Sequence, residues 1–94
     1  MKITTIYWRE DALSNLKDIL AMHRRKGKLM AKRIIDSVGK TIEEVKKHPY
    51  NGYNEASMLD QPQKIYSHVV GNRRLKMLYY TENDTLYIID FQED

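Results

Sequence analysis

The sequence predicts a single α+β domain over residues 1–94, in which a strand and two helices precede three further strands in the order β-α-α-β-β-β. Apolar residues recur at helical spacing between residues 10 and 47, and runs rich in Val, Ile, Thr and Tyr follow residue 64. A chain of 94 residues has room for one hydrophobic core. We therefore expect the N-terminal strand and a helical hairpin to pack on one face of a small antiparallel sheet.

The first strand and the first helix are predicted from the N-terminal part of the chain. Residues 2–8 have the β-branched and aromatic composition of a strand. A helix from residue 10 to about residue 25 follows, because its apolar positions repeat every three or four residues: Ala12, Leu13, Leu16, Ile19, Leu20 and His23. Since His23 falls on the apolar side, we expect it to be a core residue.

A second helix is predicted over residues 28–47, between Gly27 and Pro49. Glycine commonly ends a helix, and the residue before a proline is excluded from helical backbone angles. The apolar face of this helix consists of Met30, Ile34, Val38, Ile42 and Val45. Gly39 lowers the stability of a helix interior, so we expect it to pack closely against the first helix.

The C-terminal half is predicted to form a three-stranded meander after an irregular loop over residues 50–63. A two-residue turn at Asn83-Asp84 would pair Tyr80 with Tyr87, Leu78 with Ile89 and Lys76 with Phe91. The last strand is then apolar on both faces, and two helices cover only one of them. We expect the second face to bind a partner segment or a second copy of the chain. Its residues are Leu78, Tyr80, Tyr87, Ile89 and Phe91.

The turn between the first two meander strands leaves the position of His68 open. A loop over residues 71–72 or 71–74 places His68 and Tyr66 on the same face as Leu75 and Met77. A loop with an odd number of residues places them beside Lys76 instead, because one residue of slip inverts every side chain.

The net charge of +3 is unevenly distributed. Residues 1–48 contain twelve Lys and Arg against six Asp and Glu, whereas residues 49–94 contain four against seven. A basic cluster suits a polyanion such as RNA or DNA, although a solvated helix surface has the same composition. The candidate phosphate contacts are Arg24, Arg25, Lys32, Arg33, Lys64 and Arg73.

The composition excludes several classes of function. The sequence is 41% hydrophobic and 31% charged, which argues against disorder, and it has no cysteine for disulfides or thiolate chemistry. Three scattered histidines show no metal-ligand spacing, so we expect neither metal nor cofactor. No apolar run approaches the roughly 20 residues of a membrane span, and no signal peptide is evident at residues 1–5. We expect a cytoplasmic protein without membrane contact.

Three short motifs, in this element order, resemble the RelE/ParE superfamily of bacterial type II toxin–antitoxin toxins, which includes plasmid stabilisation proteins. The segment His48-Pro-Tyr-Asn-Gly52 is similar to the family's Pro-x-x-Gly after the second helix. Leu75-Lys-Met-Leu-Tyr79 looks like its Tyr-Arg/Lys-Ile-Ile-Tyr strand, and Thr85-Leu-Tyr-Ile-Ile-Asp-Phe91 is similar to its closing strand. The resemblance covers nearly the whole chain.

The resemblance implies a small basic toxin that a cognate antitoxin wraps and silences, with operator DNA contacted only through the antitoxin. Members of the family either cleave mRNA on the ribosome or poison DNA gyrase. Cleavage requires charge stabilisation at the scissile phosphate and groups that move protons. Lys76 matches the basic position of the family strand, and Arg73 and Arg74 adjoin it by charge and location. His68 is the candidate proton carrier, so the candidate catalytic residues are Lys76, Arg74 and His68.

The chain departs from the ribonuclease members of the family at two places. Ile65-Tyr66 stands where many relatives have a Tyr-Arg pair, and the chain closes on Gln92-Glu-Asp94 where ribonucleases often have a catalytic His or Tyr. We therefore expect mRNA cleavage to be weak or absent. Two other functions stay open: a non-catalytic nucleic-acid-binding domain that uses the basic residues between 24 and 33, and a non-toxic relative that serves as an interaction module.

Overall fold

A computed structural model describes residues 2–50, 52–54, 63–71 and 74–93. Their helices and strands are β1 (Thr5–Trp8), α1 (Glu10–Arg24), α2 (Lys28–Lys47), β2 (Tyr53–Asn54), β3 (Tyr66–Val69), β4 (Leu75–Glu82) and β5 (Thr85–Glu93). The strands form one sheet in the order β1-β5-β4-β3-β2. The predicted α+β class is confirmed, and the short β2 is an addition within the segment that the sequence predicted to be irregular.

The sheet is mixed rather than wholly antiparallel. β1 runs parallel to β5, with Thr5 opposite Thr85 and Trp8 opposite Ile88. The other neighbouring strands are antiparallel. A parallel neighbour requires a long crossover, and the helical hairpin between β1 and β2 carries the chain back across one sheet face. The first and last strands of the chain therefore lie side by side.

Both helices cover the same face of the sheet. The predicted ends of α2 are confirmed, and α1 ends one residue earlier than predicted. α1 packs mainly on β5, and α2 packs on α1 and on β3. The main core lies between the helices and the sheet and includes Leu16, Ile34, Val45, Leu86 and Ile88, each almost fully buried.

Two sequence predictions about the helices are wrong. His23 lies at the rim of the core rather than inside it, where its Nε2 is 2.7 Å from a carboxylate oxygen of Glu93 at the end of β5. Gly39 is exposed, and a Cβ atom at this position would have nothing within 4 Å. Its absent side chain therefore does not serve close packing between the helices.

A β-bulge in β5 changes the predicted register. Tyr80 opposes Tyr87 as predicted, but Leu78 opposes Asp90 rather than Ile89, and Lys76 opposes Gln92 rather than Phe91. The extra residue inverts the side chains beyond it. A carboxylate oxygen of Asp90 accepts hydrogen bonds from the amide of Asn15 on α1 at 2.6 Å and from the backbone N–H of Phe91 at 2.8 Å. These contacts stabilise the bulge.

Because of the bulge, Phe91 belongs to the main core and not to the outer face of the sheet. It opposes Met77, its exposed fraction is 3%, and its ring stacks on Trp8 with centroids 5.7 Å apart. The prediction that places Phe91 on the second apolar face is therefore wrong.

Tyr79 joins the segment after α2 to the middle of the sheet. Its buried hydroxyl donates a hydrogen bond to the carbonyl oxygen of Pro49 at 3.0 Å, and its ring stacks on Tyr66. A Cβ atom on Gly52 would lie 2.6 Å from this hydroxyl and 2.7 Å from the carbonyl oxygen of Ser67. The Pro-x-x-Gly segment therefore needs glycine at its last position because the chain passes directly over Tyr79.

Candidate functional site

The sheet face opposite the helices carries three neighbouring tyrosines, Tyr7 of β1, Tyr87 of β5 and Tyr80 of β4, which we call the tyrosine face. The rings of Tyr7 and Tyr87 lie 5.6 Å apart, and those of Tyr80 and Tyr87 stack at 4.7 Å with an angle of 12° between their planes. These three residues stand opposite one another across adjacent strands, so their rings form a continuous row.

The tyrosine face adjoins a small second core that the chain already buries. Leu78 is 0% exposed and Ile89 is 7% exposed, and both pack with Ile65. Tyr7 is 54% exposed, whereas Tyr80 and Tyr87 are half-buried. The predicted second apolar face therefore exists, but a partner would meet its tyrosine rings rather than Leu78 or Ile89.

Burial is the main cause that raises the pKa of Tyr80, and the neighbouring Tyr87 and Glu82 raise it further. Arg9, which lines the same groove as Tyr7, lowers the pKa of Tyr80. The phenol of Tyr80 is therefore neutral at physiological pH and can donate a hydrogen bond.

Two of the three predicted catalytic residues, His68 and Lys76, lie on opposite faces of the sheet. The backbone N–H of Val70 donates to the carbonyl oxygen of Leu75 at 2.8 Å, so Val70 and Leu75 are still paired just beyond the end of β3. His68 then opposes Met77 on the helix side, while Lys76 opposes Val69 on the other side. This register is the even-length alternative, and it separates the two residues that the proposed cleavage chemistry would combine.

His68 instead lines a cleft between α2 and the end of β3, which we call the α2 cleft. Its lining residues are Arg33, Asp36, Ser37, Lys40, Thr41, His68, Val69 and Gly71. The Nδ1 atom of His68 lies 2.8 Å from the carbonyl oxygen of Val69. A carbonyl oxygen only accepts hydrogen bonds, so Nδ1 carries a proton and Nε2 is the unprotonated nitrogen of the neutral ring.

The other predicted phosphate contacts are dispersed. Arg24 and Arg25 are exposed at the end of α1, and Lys32 is exposed on α2 outside the lining of the α2 cleft. Lys64 lies over the ring of Tyr66, 5.7 Å from its centroid. Arg74 is exposed at the start of β4, and Arg73 lies outside the described residues. Of the predicted phosphate contacts that the structure describes, Arg33 alone lines the same cleft as His68.

Sequence reasoning missed Lys40, Ser37 and Gly71 as residues of the cleft. Arg33, Ser37 and Lys40 are spaced by four and three residues, so they share one face of α2, and this spacing was a usable signal. The sequence contains no such signal for Gly71, because its place against α2 depends on the fold.

The described residues bring together no group of three His, Cys, Asp or Glu side chains that could hold a metal ion. Among the described residues, no helix has both the length and the apolar composition needed to cross a bilayer.

The fold is that of bacterial ParE and YoeB toxins. The chromosomal ParDE TA system from P. aeruginosa contains a chain with 10% identity and a TM-score of 0.74, over 97% of this chain and 96% of that one. The YoeB/ParE toxin from Agrobacterium tumefaciens has 13% identity and a TM-score of 0.63, over 97% of this chain and 99% of that one. The YoeB dimer from Staphylococcus aureus has 11% identity and a TM-score of 0.64, over 100% of this chain and 99% of that one.

These structures therefore match the chain along almost its full length. No protein-family model matches the sequence, and the search of curated proteins finds no similar sequence. At these identities the comparison establishes the fold, while the activity of the chain has to be argued from its own residues.

Proposed function

We propose that this chain is the toxin component of a type II toxin–antitoxin system and that its growth inhibition does not proceed through mRNA cleavage. The observation that carries the first part is a fold shared with ParE and YoeB toxins over nearly the full length of both chains. The second part is supported by the separation of His68 from Lys76 on opposite faces of the sheet. Acid–base chemistry at one phosphate requires both groups within hydrogen-bond reach of it.

Among the two targets that the family resemblance implies, DNA gyrase is the one that this arrangement favours. A gyrase-directed toxin needs a binding surface and no cleavage constellation. Purified chain should inhibit supercoiling by gyrase, while primer extension on translating ribosomes should detect no cuts at codon positions. Efficient cleavage would contradict the proposal. If those cuts disappeared in His68→Gln, which retains hydrogen bonding but carries no proton near neutral pH, His68 would be a catalytic residue after all.

Growth inhibition is proposed to depend on the basic residues around the start of β4, namely Arg73, Arg74 and Lys76. Arg74 is exposed and Lys76 is half-buried on the face away from the helices, so both can approach an acidic target surface. Cells that express a folded variant with all three residues changed to alanine should grow where the parent chain arrests them. If this variant arrested growth as strongly as the parent chain, growth inhibition would not depend on these three basic residues.

The antitoxin is proposed to dock on the tyrosine face. A partner that covers Tyr7 and extends over Tyr80 and Tyr87 would remove a row of aromatic surface from water, which is the kind of surface that is enriched at the centres of interfaces. The positive net charge of +3 favours an acidic partner. A second copy of the chain is the alternative partner for the same face.

The change of Tyr7 and Tyr87 to alanine tests this docking surface. With the protein encoded by the neighbouring reading frame as the probe, the double variant should bind at least tenfold more weakly, since aromatic anchors at an interface commonly contribute about 2 kcal/mol or more. Tyr50→Ala is the matched control, because Tyr50 is 58% exposed and its ring contacts Tyr66 on the helix side. Equal affinities of the parent and the double variant would exclude the tyrosine face, and a concentration-dependent mass of two chains would favour the second copy.

A further inference from the structure

The turn after β3 packs directly on α2 at one point, and cations lie on both sides of that point. Gly71 has a φ of +63°, and a Cβ atom there would lie 3.0 Å from the hydroxyl oxygen of Ser37 and 3.3 Å from its Cβ. Only glycine combines this backbone conformation with so close an approach. Arg33 and Lys40 lie about one helical turn before and after Ser37 on the same face of α2. The contact therefore forms the floor of the α2 cleft between two cations.

The cleft has the charge and the polar groups that suit an anion. Arg33 and Lys40 are exposed, and neither forms an ion pair with any residue that the structure describes. Among the described lining residues, Asp36 is the one carboxylate. The hydroxyl of Thr41 donates to the backbone carbonyl of Ser37 at 2.8 Å, and the Nε2 atom of His68 is not engaged by the described residues.

The spacing of the cations suits a chain of phosphates. Lys40 lies seven positions after Arg33 on α2, which corresponds to a rise of about 10 Å. The phosphates of one strand of duplex DNA recur about every 3.4 Å along the axis, so a strand lying along α2 would bring several phosphates within the span of the two side chains. Among the described residues of the lining there is no Tyr, Trp, Phe, Asn or Gln that would read base edges or stack on bases.

We propose that the α2 cleft binds the phosphodiester backbone of a nucleic-acid strand, without sequence preference, through Arg33 and Lys40. This site lies on the helix side of the sheet, away from both the tyrosine face and Lys76. The inference goes beyond the proposed function and does not rest on toxic activity, because binding is measured on the purified chain alone. Failure of this binding and failure of growth arrest are therefore separate results.

The test is the salt dependence of binding to a labelled 20-base-pair DNA duplex, with a single-stranded RNA of the same length as a second probe, followed by fluorescence anisotropy. For the Arg33→Gln/Lys40→Gln variant, the slope of log affinity against log salt should fall by about 2 on the duplex, and by less on single-stranded RNA. Asp36→Asn should strengthen binding, because it removes the carboxylate from the cleft. Binding of the duplex alone would identify DNA as the ligand, and binding of RNA alone would identify RNA.

Two variants with the same change in net charge act as controls. Lys2→Gln/Lys17→Gln changes exposed cations outside the cleft, and Arg24→Gln/Arg25→Gln changes the competing basic patch at the end of α1. Both should bind more tightly than the cleft variant. Equal losses in all three variants would show diffuse attraction to net charge, and a larger loss at Arg24 and Arg25 would place the site at the helical hairpin. Either result, or no binding by the folded parent chain, would overturn the proposal.

Discussion

Removal of the Tyr79 hydroxyl should lower the stability of the folded chain without disturbing the packing of the ring. The hydroxyl is buried in the middle of β4 and donates to the carbonyl oxygen of Pro49 at 3.0 Å. Tyr79→Phe keeps the ring and its stacking on Tyr66 but leaves that carbonyl without its donor, which should cost about 1–3 kcal/mol. For a domain of 94 residues, each kcal/mol lowers the melting temperature by roughly 4–8 °C.

The same hydroxyl should make stability depend on pH in the alkaline range. Burial, opposed in part by a hydrogen bond with the backbone of Gly52, raises the pKa of Tyr79 from 10.0 to about 12. The unfolded chain therefore loses this proton at lower pH than the folded chain. The stabilisation is complete below pH 10 and is lost as the pH rises through 10 towards 12. At pH 11 the loss due to Tyr79 should be about 1.4 kcal/mol.

The measurement is urea denaturation of the parent and of Tyr79→Phe at pH 8 and at pH 11. The difference in stability between the two proteins should shrink at the higher pH, because the variant lacks the group that destabilises the parent there. Tyr50→Phe serves as the control for removal of a tyrosine hydroxyl, since Tyr50 is exposed and this change should alter stability little. A variant as stable as the parent at pH 8, or an unchanged difference at pH 11, would refute the role given to this hydroxyl.

Three further changes test the fold by thermal denaturation. Gly52→Ala should destabilise the chain by about 1–3 kcal/mol, because the new methyl group would collide with Tyr79 and with the backbone of Ser67. Gly39→Ala should stabilise it by about 0.5–1 kcal/mol, since the position is exposed inside a helix and has free space for a methyl group. Phe91→Ala should cost about 3–5 kcal/mol, as expected of a core residue. If Phe91→Ala cost less than 1 kcal/mol, Phe91 would not be a core residue. Equal melting temperatures of the parent and Gly52→Ala would contradict the steric argument at Gly52. A loss of stability in Gly39→Ala would reveal a contact at that position.

Local sequence signals predicted the helices well. The spacing of apolar residues, Gly27 between the helices and Pro49 after them act within a few residues, so the helix ends could be placed to within one residue. The same signals could not place Gly39, because an exposed glycine and a packed glycine look alike in sequence. His23 was assigned to the core from its position on the helix, but its contact with Glu93 depends on the far end of the chain.

The register of the last strand could not be predicted from alternation alone. The bulge is held by the hydrogen bond between Asn15 and Asp90, residues far apart in the sequence. One extra residue then moved Phe91 into the main core. The candidate site has the same limitation, because the length of the loop between β3 and β4 decides whether His68 faces α2 or Lys76. Sequence identified Arg33 and His68 as candidates, and only the fold brought them to one cleft.

Growth of a bacterial culture after induction of the chain tests the central claim most directly. If this protein is a toxin, growth should stop on induction and should recover when a short acidic protein encoded by a neighbouring reading frame is expressed together with the chain. The Tyr7→Ala/Tyr87→Ala variant should arrest growth but escape this rescue, because it lacks the proposed docking surface. Unaffected growth of cells that contain the folded, soluble parent chain would contradict the assignment of this protein as a toxin.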